Sequence, residues 1–173
     1  PPIRYAEDRD TLWKRLKDGT IDCIATDHAP HTLENKALGF PKAHSGMPGV
    51  ETSLPVMLTH AADGKCSVPD VARWMCEGPA QVYGMEGKGR LQEGFDADLV
   101  LVDMESRRSI TDSDTWSRVG WTSYQGILLT GWPVSTFVDG ELVFRRTPEG
   151  PARGEFSVDG GSSGRPLRFS RSR

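Results

Sequence analysis

The sequence predicts an α/β chain, on three observations. An amphipathic helix leads through a minimal connection into a short buried strand and then a histidine-bearing loop, which is the rhythm of an α/β barrel. The middle of the chain carries helical patterns separated by glycine and proline. Beyond Gly87 the character changes to strands and turns, as in a small β subdomain.

The elements follow in order. Asp8 to Gly19 reads as a helix, with Leu12, Trp13 and Leu16 on one face and Gly19 as a left-handed stop. Residues 21–26, Ile-Asp-Cys-Ile-Ala-Thr, read as the buried strand. Cys23, Ala25 and Asp27 share one side, where small residues suit a crowded barrel interior and Asp27 emerges at the mouth. Thr32 to Gly49 is loop-like, because Gly39, Pro41, Gly46, Pro48 and Gly49 break any period. Helices are predicted over 50–62 and 68–77; Ser67 and Pro69 suit the start of the second, and Gly78-Pro79 marks its end with a possible short resumption at 80–83. Residues 89–103 read as a turn and a buried strand, and 133–144 as a hairpin around Asp139-Gly140. From about Thr147, Gly, Ser, Pro and Arg with few aliphatics predict a flexible tail. The predicted division is therefore 1–86, 87–146 and a tail of 147–173.

The bulk properties narrow the function. At 173 residues the chain has room for one domain or parts of two, and its formal net charge of −3 provides no basic field to recruit nucleic acid. No apolar run spans a bilayer and no signal-peptide core opens the chain. Cys23, Cys66 and Cys76 lack C-x-x-C spacing, which argues against disulfide and zinc-finger frameworks and makes a reducing cytoplasm the expected setting.

The chemistry concentrates in Asp27-His28-Ala29-Pro30-His31. An aspartate at a strand end more often caps a loop. Here the buried strand before it and the histidines after it favour metal-assisted hydrolysis, in which a carboxylate accepts a proton from water and returns it to a leaving nitrogen. His28 and His31 are either further ligands or, at a barrel mouth, binders of a substrate carboxylate. One carboxylate alone does not hold a catalytic zinc, which needs about three protein ligands. His44 and His60 read as structural or solvent-facing. The loop 42–49 has the glycines that let backbone approach a ligand, though an ordinary surface loop has them too. The five tryptophans have no stacking-platform spacing and read as packing residues.

Residues 21–32 with Glu34, Lys36 and Gly39, then Gly46-Met47-Pro48-Gly49-Val50-Glu51-Thr52, Gly89-Arg90-Leu91 through Val100, and Gly131-Trp132-Pro133-Val134 through Val143 together resemble class I dihydroorotases of the amidohydrolase superfamily. The resemblance implies the C-terminal part of a (β/α)8 TIM-like barrel plus part of a flanking β-sandwich subdomain. It implies that Asp27 binds one zinc of a binuclear site and serves as general base and acid. It makes His31 the holder of the substrate carboxylate, and Ser45 and Gly46 the loop positions whose backbone meets the pyrimidine ring. The implied reaction is the reversible cyclisation of N-carbamoyl-L-aspartate to dihydroorotate in pyrimidine biosynthesis. A cationic group at position 31 suits a substrate that carries a carboxylate.

The departures set further expectations. The family's H-x-H pair, its carboxylate ligand and its two later histidines have no counterpart, and its substrate-binding asparagine falls just before Pro1. The expectation is a C-terminal segment that is inactive alone and part of a homo-oligomer when complete. The rival readings are a hydantoinase or allantoinase relative, and a non-catalytic subunit that supports aspartate transcarbamoylase.

Overall fold

The computed structural model describes residues 3–146, 154–156 and 164–170. The described chain runs α1 (Ala6–Lys17), α2 (Leu33–Lys36), α3 (Ser53–Ala62), α4 (Val68–Ala72), a π-helical turn (Arg73–Glu77), α5 (Gly78–Tyr83), β1 (Leu99–Ser109), a 3-10 turn (Asp112–Asp114), β2 (Leu128–Val138), β3 (Glu141–Arg145) and β4 (Glu155–Phe156). It divides into two compact units. One comprises Pro1–Ala25, Ala72–Phe95 and Pro166–Arg173, the other Thr26–Val71 and Asp96–Arg165. Each unit thus draws on both of the sequence segments 1–86 and 87–146.

In the first unit, α1 has acidic residues in its first turn and basic residues in its last, complementing the helix dipole. Leu16 is buried and the Trp13 ring meets Trp74 edge-on at 6.2 Å, whereas Leu12 is 40% exposed and lies off the buried face. The predicted strand at 21–26 forms no ladder. A parallel strand pairs only with another that a crossover brings alongside, and none is present among the described residues. What the segment does have is a hydrogen bond from the Ile24 N–H to the Trp74 carbonyl at 3.0 Å.

That bond explains how a helix passes a proline. The sequence predicts an end at Gly78-Pro79 with a short helix resuming over 80–83; α5 is that helix, but the helical path reaches it through the π turn without a break. In the π turn the Gly78 N–H donates to the Arg73 carbonyl, five residues back. By the same spacing Pro79 faces the Trp74 carbonyl but has no N–H to give. Ile24 supplies the missing donor. Gly78 must also remain bare, since a Cβ there would lie 2.3 Å from the Asp22 carbonyl oxygen. The helix ends at Gly84, left-handed at φ 63°.

In the second unit the sheet has the order β1-β2-β3-β4, antiparallel throughout. β1 begins later than the sequence suggests and runs further, to Ser109, with register shifts after Leu101 and Asp103. The hairpin is where Asp139-Gly140 places it: φ is 53° and 82° at these two residues, the pair of positive angles that a right-twisted two-residue turn requires. β2 starts upstream of Pro133 and packs on α3. Gly131, at φ 83°, lets this approach happen, because a Cβ there would lie 2.7 Å from the Leu58 Cβ. The Thr59 hydroxyl accepts the Thr130 N–H at 2.9 Å and donates its proton back along α3 to the Pro55 carbonyl at 2.7 Å.

Ile110, Leu129 and Trp132 form the core of this unit, with Val56 and Tyr124 against it. The Arg108 and Arg146 guanidiniums lie 4.3 and 5.0 Å from the Trp132 ring centroid. Burial, reinforced by Arg108, lowers Arg146 to about 10. Helix α3 starts at Ser53 and not at residue 50, after a tight turn in which the Thr52 N–H donates to the Gly49 carbonyl three residues back.

Parts of the expected flexible tail are paired. Glu155 and Phe156 add an edge strand opposite Arg145 and Phe144, and Phe169 bridges Met85. Backbone hydrogen bonds explain both, since they need no aliphatic side chains. The rest of that tail expectation, 147–153, 157–163 and 171–173, lies outside the described residues. Among the described residues no helix is long and apolar enough to cross a membrane.

A test follows from Gly78. Alanine in a helix ordinarily gains about 1 kcal/mol over glycine. Gly78→Ala is expected to lose about 1–3 kcal/mol instead, because Cβ meets a fixed carbonyl. A lowered urea midpoint at unchanged slope is the readout; a raised midpoint would contradict the close approach.

Candidate active site

Two loops of the second unit carry the predicted residues, and both arise from backbone that no sheet constrains. Asp27 stands at φ 47°, exposed, where the extended segment turns into the first loop. A left-handed residue with a side chain costs about 1–2 kcal/mol, and aspartate is among the types that tolerate it. The turn is steadied by the Thr26 hydroxyl, which accepts the His28 N–H at 3.2 Å.

His28 then ties the first loop to the second. Its Nδ1 accepts the N–H of Gly49 at 3.1 Å and of Val50 at 3.3 Å, which leaves the ring proton on Nε2. An isolated parallel bridge pairs His28 with Met47, and the Ala29 N–H donates to the Met47 carbonyl at 3.1 Å. Gly46 completes the seam. It sits at φ 103°, and a Cβ would lie 2.7 Å from the Ala29 Cβ and 2.8 Å from its carbonyl oxygen. Position 46 therefore brings bare backbone against the first loop. The sequence leaves His28 as a metal ligand or a binder of a substrate carboxylate; the structure gives its Nδ1 a loop-supporting role that neither reading includes.

His31 is half-buried, and its ring lies 4.9 Å from that of His44, tilted by 50°. Its carbonyl accepts the Trp121 indole N–H at 2.8 Å. His44 and Ser45 are exposed. The short helix α2 is capped by the Thr32 hydroxyl, which accepts the Asn35 N–H. It delivers Lys36 to the carbonyls of His44, at 2.8 Å, and Gly46.

A third segment supports both loops. The Glu51 carboxylate accepts the N–H groups of Trp116, at 2.8 Å, and Ser117, at 2.9 Å. The Ser123 hydroxyl donates to the Met47 sulfur at 3.1 Å. The structure thus joins Gly46 to the first loop and His31 to His44. Among the described residues no hydrogen bond links Asp27 to His31 or Ser45. The sequence assigns Lys36 and Glu51 no role and Trp121 only packing, because their hydrogen-bond partners lie 8 to 90 residues away.

No group of three or more His, Cys, Asp or Glu side chains suited to a metal converges among the described residues. Asp27 is a lone carboxylate donor, and the described residues by themselves do not fit a zinc ion. No disulfide joins Cys23, Cys66 or Cys76.

The amidohydrolase family model matches residues 4–143, most of the chain and both candidate loops. The chain belongs to the amidohydrolase family. This amidohydrolase chain is 43% identical over 148 residues to a dihydroorotase of Bacillus caldolyticus, covering 84% of the chain and 34% of that protein. It is 44% identical over 144 residues to a dihydroorotase of Halobacterium salinarum, covering 83% and 34%. Among solved structures it matches an L-hydantoinase (dihydropyrimidinase) from Arthrobacter aurescens at TM-score 0.80 and 37% identity, covering 91% of the chain and 35% of that structure. A dihydropyrimidinase from Brevibacillus agri matches at TM-score 0.79 and 28% identity, over 84% and 33%. The amidohydrolase chain spans about a third of the length of the curated relatives it matches.

Removing the His28 ring tests the seam. His28→Ala is expected to raise amide hydrogen exchange at Gly49 and Val50 by about tenfold, since both donors lose their acceptor. Wild-type protection at the two amides in that variant would show that something else holds the loop.

Proposed function

We infer that the chain is a segment of a dihydroorotase, a cyclic amidohydrolase that interconverts N-carbamoyl-L-aspartate and dihydroorotate. The observation that carries the reading is the seam at His28 and Gly46. It supports Asp27, His31, Ser45 and Gly46 on two interlocked loops in a chain whose relatives include dihydroorotases at 43% and 44% identity. In fold terms the reading takes residues 1–86 as the end of a TIM-like barrel and 87–146 as part of a β-sandwich.

The chemistry asked of the chain is modest. The Asp27 carboxylate takes a proton from the water that attacks the ring carbonyl, and returns it to the amide nitrogen as the C–N bond breaks. Ring closure runs the same transfers backward. His31 holds the substrate carboxylate, which fixes the orientation of the ring against Asp27. Backbone groups at Ser45 and Gly46 meet the ring, on a loop that the absence of a Cβ at Gly46 lets lie close against Ala29. Dihydroorotases and other amidohydrolases are generally metal-dependent, and the proposal makes Asp27 one donor to a zinc site whose other ligands are not among the described residues. A small-molecule substrate, homo-oligomeric assembly, a cytoplasmic setting and inactivity of the 173-residue chain alone belong to the same proposal.

A hydantoinase-type activity is the second reading, favoured by the match to the Arthrobacter aurescens L-hydantoinase. A supporting role beside aspartate transcarbamoylase draws nothing from the relatives reported above.

The substrate and the residues can be tested together. In the active enzyme carrying these residues, ring opening of dihydroorotate is expected to exceed that of hydantoin and allantoin. Asp27→Ala is expected to lower kcat by at least about a hundredfold, the scale of a lost general acid–base group. His31→Ala is expected to act chiefly through KM. Preference for hydantoin would favour the second reading, and normal turnover of Asp27→Ala would remove that residue from the mechanism.

A further inference from the structure

Lys36 raises a question that the proposed chemistry leaves open. A surface lysine ordinarily keeps its ammonium in water, because immobilising four methylenes costs rotamer entropy. Here the side chain is half-buried at the end of α2 and its Nζ donates to two backbone carbonyls, those of His44 at 2.8 Å and of Gly46. The two carbonyls flank Ser45. The same Nζ lies 5.7 Å from the centroid of the Trp121 ring, whose N–H is donated at 2.8 Å to the His31 carbonyl. One cation therefore touches the loop that follows Ala43, and one indole connects that cation to the backbone of His31.

The geometry of the loop shows why it needs such a fastener. Gly46 stands at φ 103°, outside any regular element, and a carbonyl on either side of Ser45 has no ladder to occupy it. Fastening both carbonyls to a single ammonium directs them to one side. That fixes the two peptide planes on either side of the Ser45–Gly46 peptide, the first carrying the Ser45 N–H and the second the Gly46 carbonyl itself. A charge-assisted donor holds carbonyls more firmly than water does, and an aromatic face leaves the ammonium its remaining solvation.

We propose that Lys36, braced by the face of Trp121, is a positioning residue that sets the backbone of the 44–46 loop for ring recognition. Its hold on the loop stands on this geometry alone, and its bearing on substrate rests on the dihydroorotase reading. Lys36 acts through the loop and need not touch substrate.

The test uses Lys36→Met, which keeps the length and apolar stem, and Lys36→Arg, which restores the donors. In the 173-residue chain, backbone order parameters at Ser45, Gly46 and Met47 are expected near the rigid value of about 0.85. They are expected to fall below about 0.6 in Lys36→Met and to recover in Lys36→Arg. In the active enzyme, Lys36→Met is expected to raise KM for dihydroorotate about tenfold with kcat within about threefold, and Lys36→Arg to restore most of it. Unchanged order parameters in Lys36→Met overturn the proposal whatever the substrate. A fall in kcat at constant KM overturns the positioning role. A wild-type enzyme that opens no dihydroorotate refutes the functional reading and the substrate half of the proposal, while the order parameters still decide whether Lys36 holds the loop.

Discussion

An imidazole nitrogen that accepts two backbone N–H groups sets the distance between the two candidate loops, and much of the second unit is arranged around that spacing. Nδ1 of His28 can accept from Gly49 and Val50 only if the chain turns sharply at Asp27 and approaches without a side chain at Gly46. The turn explains a left-handed aspartate, the approach a left-handed glycine. Glu51 follows directly, and its carboxylate gathers the segment from Trp116, which returns Trp121 to His31. Neutral imidazole, carboxylate and indole each take a backbone partner in this arrangement. Irregular loops that lack a sheet ladder are thereby satisfied by side chains.

What was legible in the sequence was what local chemistry decides. Asp139-Gly140 announces its turn because both positions need positive φ, and no distant residue has to agree. Gly19 as the stop after α1 has the same character. The stretch 21–26 was legible only as composition. Its apolar β-formers suit a buried strand, but among the described residues none of 21–26 is buried and no ladder forms, because both depend on neighbours that composition cannot supply. Gly78-Pro79 misled in the opposite direction: the dipeptide breaks a helix by local rules, and Ile24, more than fifty residues earlier, overrides them with one N–H.

The candidate site divides along the same line. Asp27 and His31 stand out as candidates because an acid and an imidazole four residues apart are a local pattern, visible without any distant partner. His28 reads from sequence as a ligand or a carboxylate binder, and only the placing of its two N–H donors shows that it supports the loop. His44 was expected at the surface and is exposed, yet its neighbour is the ring of His31. Trp121 belonged to a set of tryptophans expected to pack, and its N–H proves as important as its face. Roles that depend on a partner ninety residues away leave no local trace.

The edge of the sheet has a practical consequence. β1 is its outermost strand, and Leu99, Val100 and Leu101 at its start are all more than a third exposed. Among the described residues nothing pairs with its outer rim. Unpaired N–H and C=O groups beside aliphatic side chains form a template that another chain can extend. The charged residues Asp103, Glu105 and Arg107 interrupt that template only in the strand's second half. A further strand, if one were to add to this sheet, would meet its least guarded backbone at those first three residues.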